Sequence, residues 1–174
     1  MNDEEMEDSY FYGKYRGTVI NNIDPLQIGR IQVTVPDVSG SIPSSWAMPC
    51  VPITGKQMGI FVVPQVGAGV WVEFEQGDPD YPIWVGGFWG SSSELPSAAK
   101  EGLPVSPSIV LQTAGQNSIV ISDLPGTGGI ELKSRTGAKI TIDDTGITID
   151  NGKGASVKLT GPSVDINSGA LKVT

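Results

Sequence analysis

Residues 73–90, EFEQGDPDYPIWVGGFWG, hold the densest set of groups in this chain that could do chemistry. Glu73, Glu75, Asp78 and Asp80 stand beside Tyr81, Trp84, Phe88 and Trp89. A glycosidase uses such a mixture, holding a sugar against aromatic rings and cleaving it with two carboxylates roughly 5–10 Å apart across a cleft. Alternation along VWVEFE, however, puts Val70, Val72 and Phe74 inward and Trp71, Glu73 and Glu75 outward. Two neighbouring outward acids are ordinarily a solvated face. The second acidic pair, Asp143 and Asp144, precedes Thr145-Gly146 at a turn, where Asp is expected for its local backbone bonding. The reading is therefore of no catalytic residue, no cofactor and no metal, with a polysaccharide-cleaving or carbohydrate-binding β-protein as the alternative.

Composition narrows the chemistry further. The 174 residues contain no histidine, which removes Ser-His-Asp and Cys-His catalysis and His-based zinc hydrolysis together. Cys50 is the single cysteine, so no internal disulfide forms, and between Pro49 and Val51 it reads as a small buried hydrophobe. A formal charge of −8 argues against DNA or RNA, whose binders neutralise phosphates with Lys and Arg. The first residues, MNDEEMEDSYFYG, are acidic where a secretory signal is basic and then apolar, and no apolar run approaches bilayer length. Synthesis in the cytoplasm without a signal peptide is expected.

The elements that would position these residues are strands. Gly (23) and Pro (13) are abundant, and no window repeats apolar residues at helical spacing for more than a turn, so the chain reads as all-β. Residues 1–12 form an acidic arm bearing Asp3, Glu4, Glu5, Glu7 and Asp8. Over residues 13–90, YRGTVI and RIQVTV alternate around the turn chemistry of NNIDPLQIG and make a first hairpin. A Pro/Ser-rich loop with SSWAMPCVP follows. GIFVVPQVGAGVWVEFE then supplies two strands around Pro64 and the Gly67-Ala68-Gly69 break, and YPIWVGGFW a fifth. Five short strands with long loops suit a small OB-type barrel better than a sandwich. Gly77, Asp78, Pro79 and Pro82 make a stiff hairpin end, and Gly86-Gly87 a joint where barrel gives way to the next unit. Residues 91–107, SSSELPSAAKEGLPVSP, lose all periodicity and read as a linker.

Residues 108–174 carry a repeat. Apolar pairs recur as Ile109/Leu111, Ile119/Ile121, Ile130/Leu132, Ile140/Ile142, Ile147/Ile149, Val157/Leu159, Val164/Ile166 and Leu171/Val173. Their first members are 10, 11, 10, 7, 10, 7 and 7 residues apart, with Gly, Asn or Asp between most of them. Each unit is thus a short strand and a tight turn, a β-solenoid rhythm. Two inward apolar residues per unit are too few for one chain to enclose a core. Three chains around a common axis would each contribute one wall of a prism, so an intertwined homotrimeric β-helix is inferred, with a single-chain solenoid as the other arrangement the spacing permits. Its core would be Ile119, Ile121, Ile130, Leu132, Ile140, Ile142, Ile147, Ile149, Val157, Leu159, Val164 and Ile166.

GTVINNIDPLQIGRIQVTVP, WAMPCVP and FVVPQVGAGVWVEFEQGDPDYPIWVGGFWG, followed by a Gly-punctuated β-repeat, resemble the central spikes of contractile injection machines. Phage baseplate assembly protein V, the OB part of myovirus tail spikes and the VgrG spikes of type VI secretion belong to that group. The resemblance implies a trimer of barrels above a β-helical needle, assembled with baseplate proteins in a virion or secretion particle. Such a spike is driven by sheath contraction into a target envelope, where it contacts the membrane transiently. The chain lacks the lysozyme-like domain of some myovirus spikes, and the hub domain of VgrG, so a separate hub or tube-initiator protein is expected at the barrel end. It also lacks the histidines that close some short phage spikes on an axial metal. Ending on strand-like GALKVT, it is expected to present Leu171, Lys172, Val173 and Thr174 to a PAAR-like conical tip protein.

Overall fold

The computed structural model describes residues 10–101 and 104–173, with side chains through Leu171; the acidic arm, but for its last residues, and Thr174 lie outside the described residues. The chain divides into two compact units, residues 1–92 and 93–174. Nearly everything described is strand, turn or loop, and the one α-helix is the single turn α1 (Pro36–Ser39). No helix among the described residues is long and apolar enough to cross a membrane.

The first unit is a five-stranded sheet rolled on itself. Its strands are β1 (Tyr15–Asn21), β2 (Gln32–Thr34), β3 (Met48–Pro49), β6 (Gly69–Phe74) and β7 (Pro82–Phe88), in the order β2-β1-β6-β7-β3. A two-residue ribbon, β4 (Thr54–Gly55) with β5 (Met58–Gly59), projects separately. The edges are joined by the pair Ile31–Ala47, whose backbones exchange hydrogen bonds of 3.2 and 2.8 Å; this closes the sheet into a barrel and leaves no free edge there. Alternation places Val19, Ile31, Val33, Val35, Val70, Val72, Phe74 and Trp84 in the core. Gly86 occupies a bulge in β7, where the register slips so that Trp71 faces Gly86 and Val72 faces Trp84. Its φ of +148° is open to glycine and strained for other residues.

Two expectations change. GIFVV supplies no barrel strand: Gly59 ends the small ribbon, residues 60–65 join no sheet, and the place expected for them in the five-stranded sheet is taken by β3, inside the loop WAMPCVP. β3 is parallel to β7, a long-range pairing with no local periodicity to announce it. Cys50 is exposed rather than buried; its N–H donates to the Trp84 carbonyl at 2.9 Å, while its side chain faces solvent.

The second unit is a single sheet of eight antiparallel strands in sequence order. They are β8 (Ile109–Gln112), β9 (Ser118–Ser122), β10 (Gly129–Lys133), β11 (Lys139–Asp143), β12 (Gly146–Asp150), β13 (Ser156–Thr160), β14 (Ser163–Ile166) and β15 (Leu171–Val173). One chain therefore does not wind into a solenoid. The short links suit hairpins, since a parallel stack requires a longer return at every step. Side-chain acceptors fix the turns: Asp143 Oδ1 accepts from the Thr145 N–H (2.7 Å) and Oγ1 (2.6 Å), and Asn151 Oδ1 from the Lys153 and Ala155 N–H groups. These bonds hold the Asp143 carboxyl below its ordinary pKa, the Thr145 hydroxyl contributing most. Gly146 opens β12 at φ +142°, and a Cβ there would run into the Leu159 carbonyl oxygen.

Two substitutions separate the units. Ile31→Ala should cost the barrel about 2–5 kcal/mol, because it hollows a closed core. Gly146→Ala should cost the sheet at least about 1–3 kcal/mol, the backbone strain alone, with the clash against the Leu159 carbonyl added to it. Denaturant unfolding at fixed protein concentration checks both, and an unchanged midpoint for either would contradict the packing described.

Candidate functional site

The acidic cluster is taken up by the fold. Glu73 pairs with Lys14 across the barrel surface. Glu75 starts a 3₁₀ turn (Glu75–Gly77), and its N–H donates to the Tyr81 carbonyl. Asp78 Oδ1 accepts from the Asp80 N–H at 2.9 Å, and the Asp80 carbonyl accepts from Ser45 Oγ at 2.6 Å. Gly77 receives the Phe11 N–H on its carbonyl, Pro79 lies in the turn, and Pro82 is fully buried opposite Phe74. Gly86 and Gly87 lie within β7, opposite Trp71 and Val70. Trp71 and Phe88 form a ring pair on the outer face with the Arg16 guanidinium over both, at 5.5 and 5.2 Å. Among the described residues, no group of three or more His, Cys, Asp or Glu is placed to hold a metal.

The DPLQIGR loop is organised by a carboxylate the sequence reading did not single out. Asp24, 8 % exposed, accepts from the N–H groups of Leu26, Ile28 and Arg30 and from the Arg30 guanidinium at 2.7 and 3.0 Å. Arg30 in turn lies over the Trp46 ring at 5.3 Å, and Trp84 Nε1 donates to the Gly29 carbonyl at 3.1 Å. The Arg30 hydrogen bond, aided by the three N–H groups and opposed by desolvation, holds the Asp24 carboxyl far below the ordinary carboxylate range. The signal was available: Asp-Pro followed by Gly-Arg is a loop needing an acceptor and its counter-ion.

The sheet unit carries the feature that calls for a partner. Register brings the repeat's apolar pairs into two continuous rows on one face. One row runs Ile109, Ile121, Ile130, Ile142, Ile147, Leu159, Val164; the other runs Leu111, Ile119, Leu132, Ile140, Ile149, Val157, Ile166, Leu171. From Ile109 to Ile149 each member is 37–64 % exposed, while Val157, Val164 and Ile166 are half-buried. The opposite face carries Glu131, Thr141, Thr148, Lys158 and Asp165 facing one another in turn. The sheet is thus two-sided, with one face apolar and uncovered within the described chain and the other polar from β10 onward, although Val110 and Val120 continue that second face into β8 and β9 and the Thr141 hydroxyl on it is buried. At β15 it ends in an edge strand paired on one side only, to β14.

A closed OB-type barrel joined to a sheet with an exposed apolar face suits a structural protein that assembles. Residues 15–89 match the type VI secretion system/phage-baseplate injector OB domain, and residues 108–172 match the phage baseplate V C-terminal trimerisation domain. No curated protein matches the chain. The chain belongs to the baseplate V family of phage and type VI injector spikes, and its role is structural, in the baseplate.

Because the Asp24 pKa is depressed in the fold, its charge stabilises the barrel above the ordinary carboxylate pKa, and that contribution is lost as pH falls below about 4. Asp24→Asn should therefore lower Tm by several degrees at pH 7, and the gap to the unmodified chain should narrow below pH 4. A gap independent of pH in thermal melts would contradict the pairing.

Proposed function

We propose that three copies of this chain form the membrane-piercing central spike of a contractile injection particle. The observation that carries the reading is the pair of apolar rows on the sheet unit. Three such sheets facing a common axis would place six apolar side chains in every layer, in a dry prism whose polar faces look outward. Removing an Ile or Leu side chain from water is worth about 1.5–3 kcal/mol, repeated over layer after layer, which suits a rod that must transmit sheath force without bending. Core roles fall to Ile119, Ile121, Ile130, Leu132, Ile140, Ile142, Ile147, Ile149, Val157, Leu159, Val164 and Ile166.

In this proposal residues 1–12 are an arm, 13–90 the barrel, 91–107 a linker and 108–174 the needle. Gly77, Asp78, Pro79, Pro82, Gly86 and Gly87 stiffen the barrel hairpin. A hub or tube-initiator protein engages the barrel end. A PAAR-like tip protein covers the sheet edge at Leu171, Lys172, Val173 and Thr174, and the assembled spike meets the target membrane only in passing. The mechanism is rigidity, with no bond broken.

Placing two carboxylates in the rows, as Ile130→Glu with Ile142→Glu, should convert the oligomer to single chains in light scattering; an oligomer of unchanged mass would sink the reading. Full-length chain, and not a truncation at Gly161, should retain a conical tip protein in a pull-down. Equal retention by both would remove the tip contact from the proposal.

A further inference from the structure

The barrel has its own exposed apolar surface. Ile53, Met58, Ile60, Phe61, Val62 and Val66 are all exposed, Phe61 by 70 % and Val62 by 68 %. Phe61 and Val63 pack toward Gly29, and the Pro64 carbonyl accepts from Asn22 Nδ2 at 2.9 Å, so the segment is held against the 22–29 loop. Among the described residues, no backbone group of Phe61, Val62 or Val63 has a backbone hydrogen-bond partner. Bare apolar side chains on a bare backbone are what a strand-pairing surface presents.

Charge selects the occupant. Barrel residues 13–90 hold six Asp or Glu against four Lys or Arg, so identical barrels repel where their carboxylates face each other. From Val38 to Val72 there is no Asp or Glu, and Lys56 is the single charge. This is the surface on which like-charged barrels can approach one another at least cost. Three chains joined through their sheet units would also tether three barrels through residues 90–107, and short tethers hold such modules at millimolar effective concentrations, where a modest apolar contact suffices. We infer that residues 53–66, centred on Ile60, Phe61 and Val62, form the barrel-to-barrel contact with a second copy of this chain; the inference rests on the three-copy reading above.

Hydrogen exchange of the unmodified full-length protein tests it directly. The amides of Phe61, Val62 and Val63 should exchange at least tenfold more slowly than open chain, although no backbone hydrogen bond among the described residues holds them. As a second measurement, Cys50→Ser with Val62→Cys should react with a maleimide at least tenfold more slowly than the same chain dissociated by Ile130→Glu and Ile142→Glu. Tryptophan emission, to which buried Trp84 contributes alongside Trp46, Trp71 and Trp89, should match that of the unmodified chain in both if the barrel is folded. Adding Phe61→Ser should speed labelling while leaving three chains by mass. Equal labelling rates in the two states overturn the inference, as does slowing that appears only once a hub protein is added. Any native mass other than three chains would instead overturn the three-copy reading itself.

Discussion

An eight-stranded antiparallel sheet satisfies its own backbone from strand to strand, but it has two faces, and here one is built of Ile, Leu and Val alone. Two apolar residues per strand cannot fold back over one another within a single layer, so the apolar face has no cover inside the chain. That constraint bears on the rest of the second unit. The hairpin links are short so that strands stack without drifting in register, since a slip of one residue would carry an entire row to the polar face. Asp143 and Asn151 hold those links with side-chain acceptors, and Gly146 admits the neighbouring carbonyl where any side chain would block it.

The barrel solves the opposite problem. It has few residues and no large core, and it gains stability by closure: the Ile31–Ala47 pair joins the two sheet edges and leaves Val19, Val33, Val70 and Val72 dry. The loop that leads into this closure is held by Asp24, Arg30 and the Trp84 indole, so the Asp-Pro and Gly-Arg pieces of the sequence are structural parts of one device. The carboxylates of residues 73–80 serve the neighbouring turn in the same way. Acids that resemble a catalytic set when read in a line are distributed among a surface pair, a turn and a 3₁₀ start.

Much of this was legible in the sequence. Period-2 alternation identified which residues of VWVEFE point inward, and the same alternation assembled the two rows of the sheet. It could not tell hairpins from a solenoid, because both place side chains on alternate faces; the distinction lies in strand direction, which turn length decides. β3 escaped notice because two residues carry no period, and its parallel partner lies more than thirty positions away. GIFVV looked like a strand by composition alone and has no barrel ladder to join. Cys50 was misjudged for a related reason: apolar neighbours in sequence do not bury a side chain whose backbone sits at a barrel edge.

Whatever covers the apolar face decides the state in which the chain works. Native mass spectrometry of the unmodified full-length chain, followed on dilution, measures this most directly. Three chains per particle, persisting to low micromolar concentration, is the predicted result; a single chain that stays folded and soluble with those rows in water would contradict it.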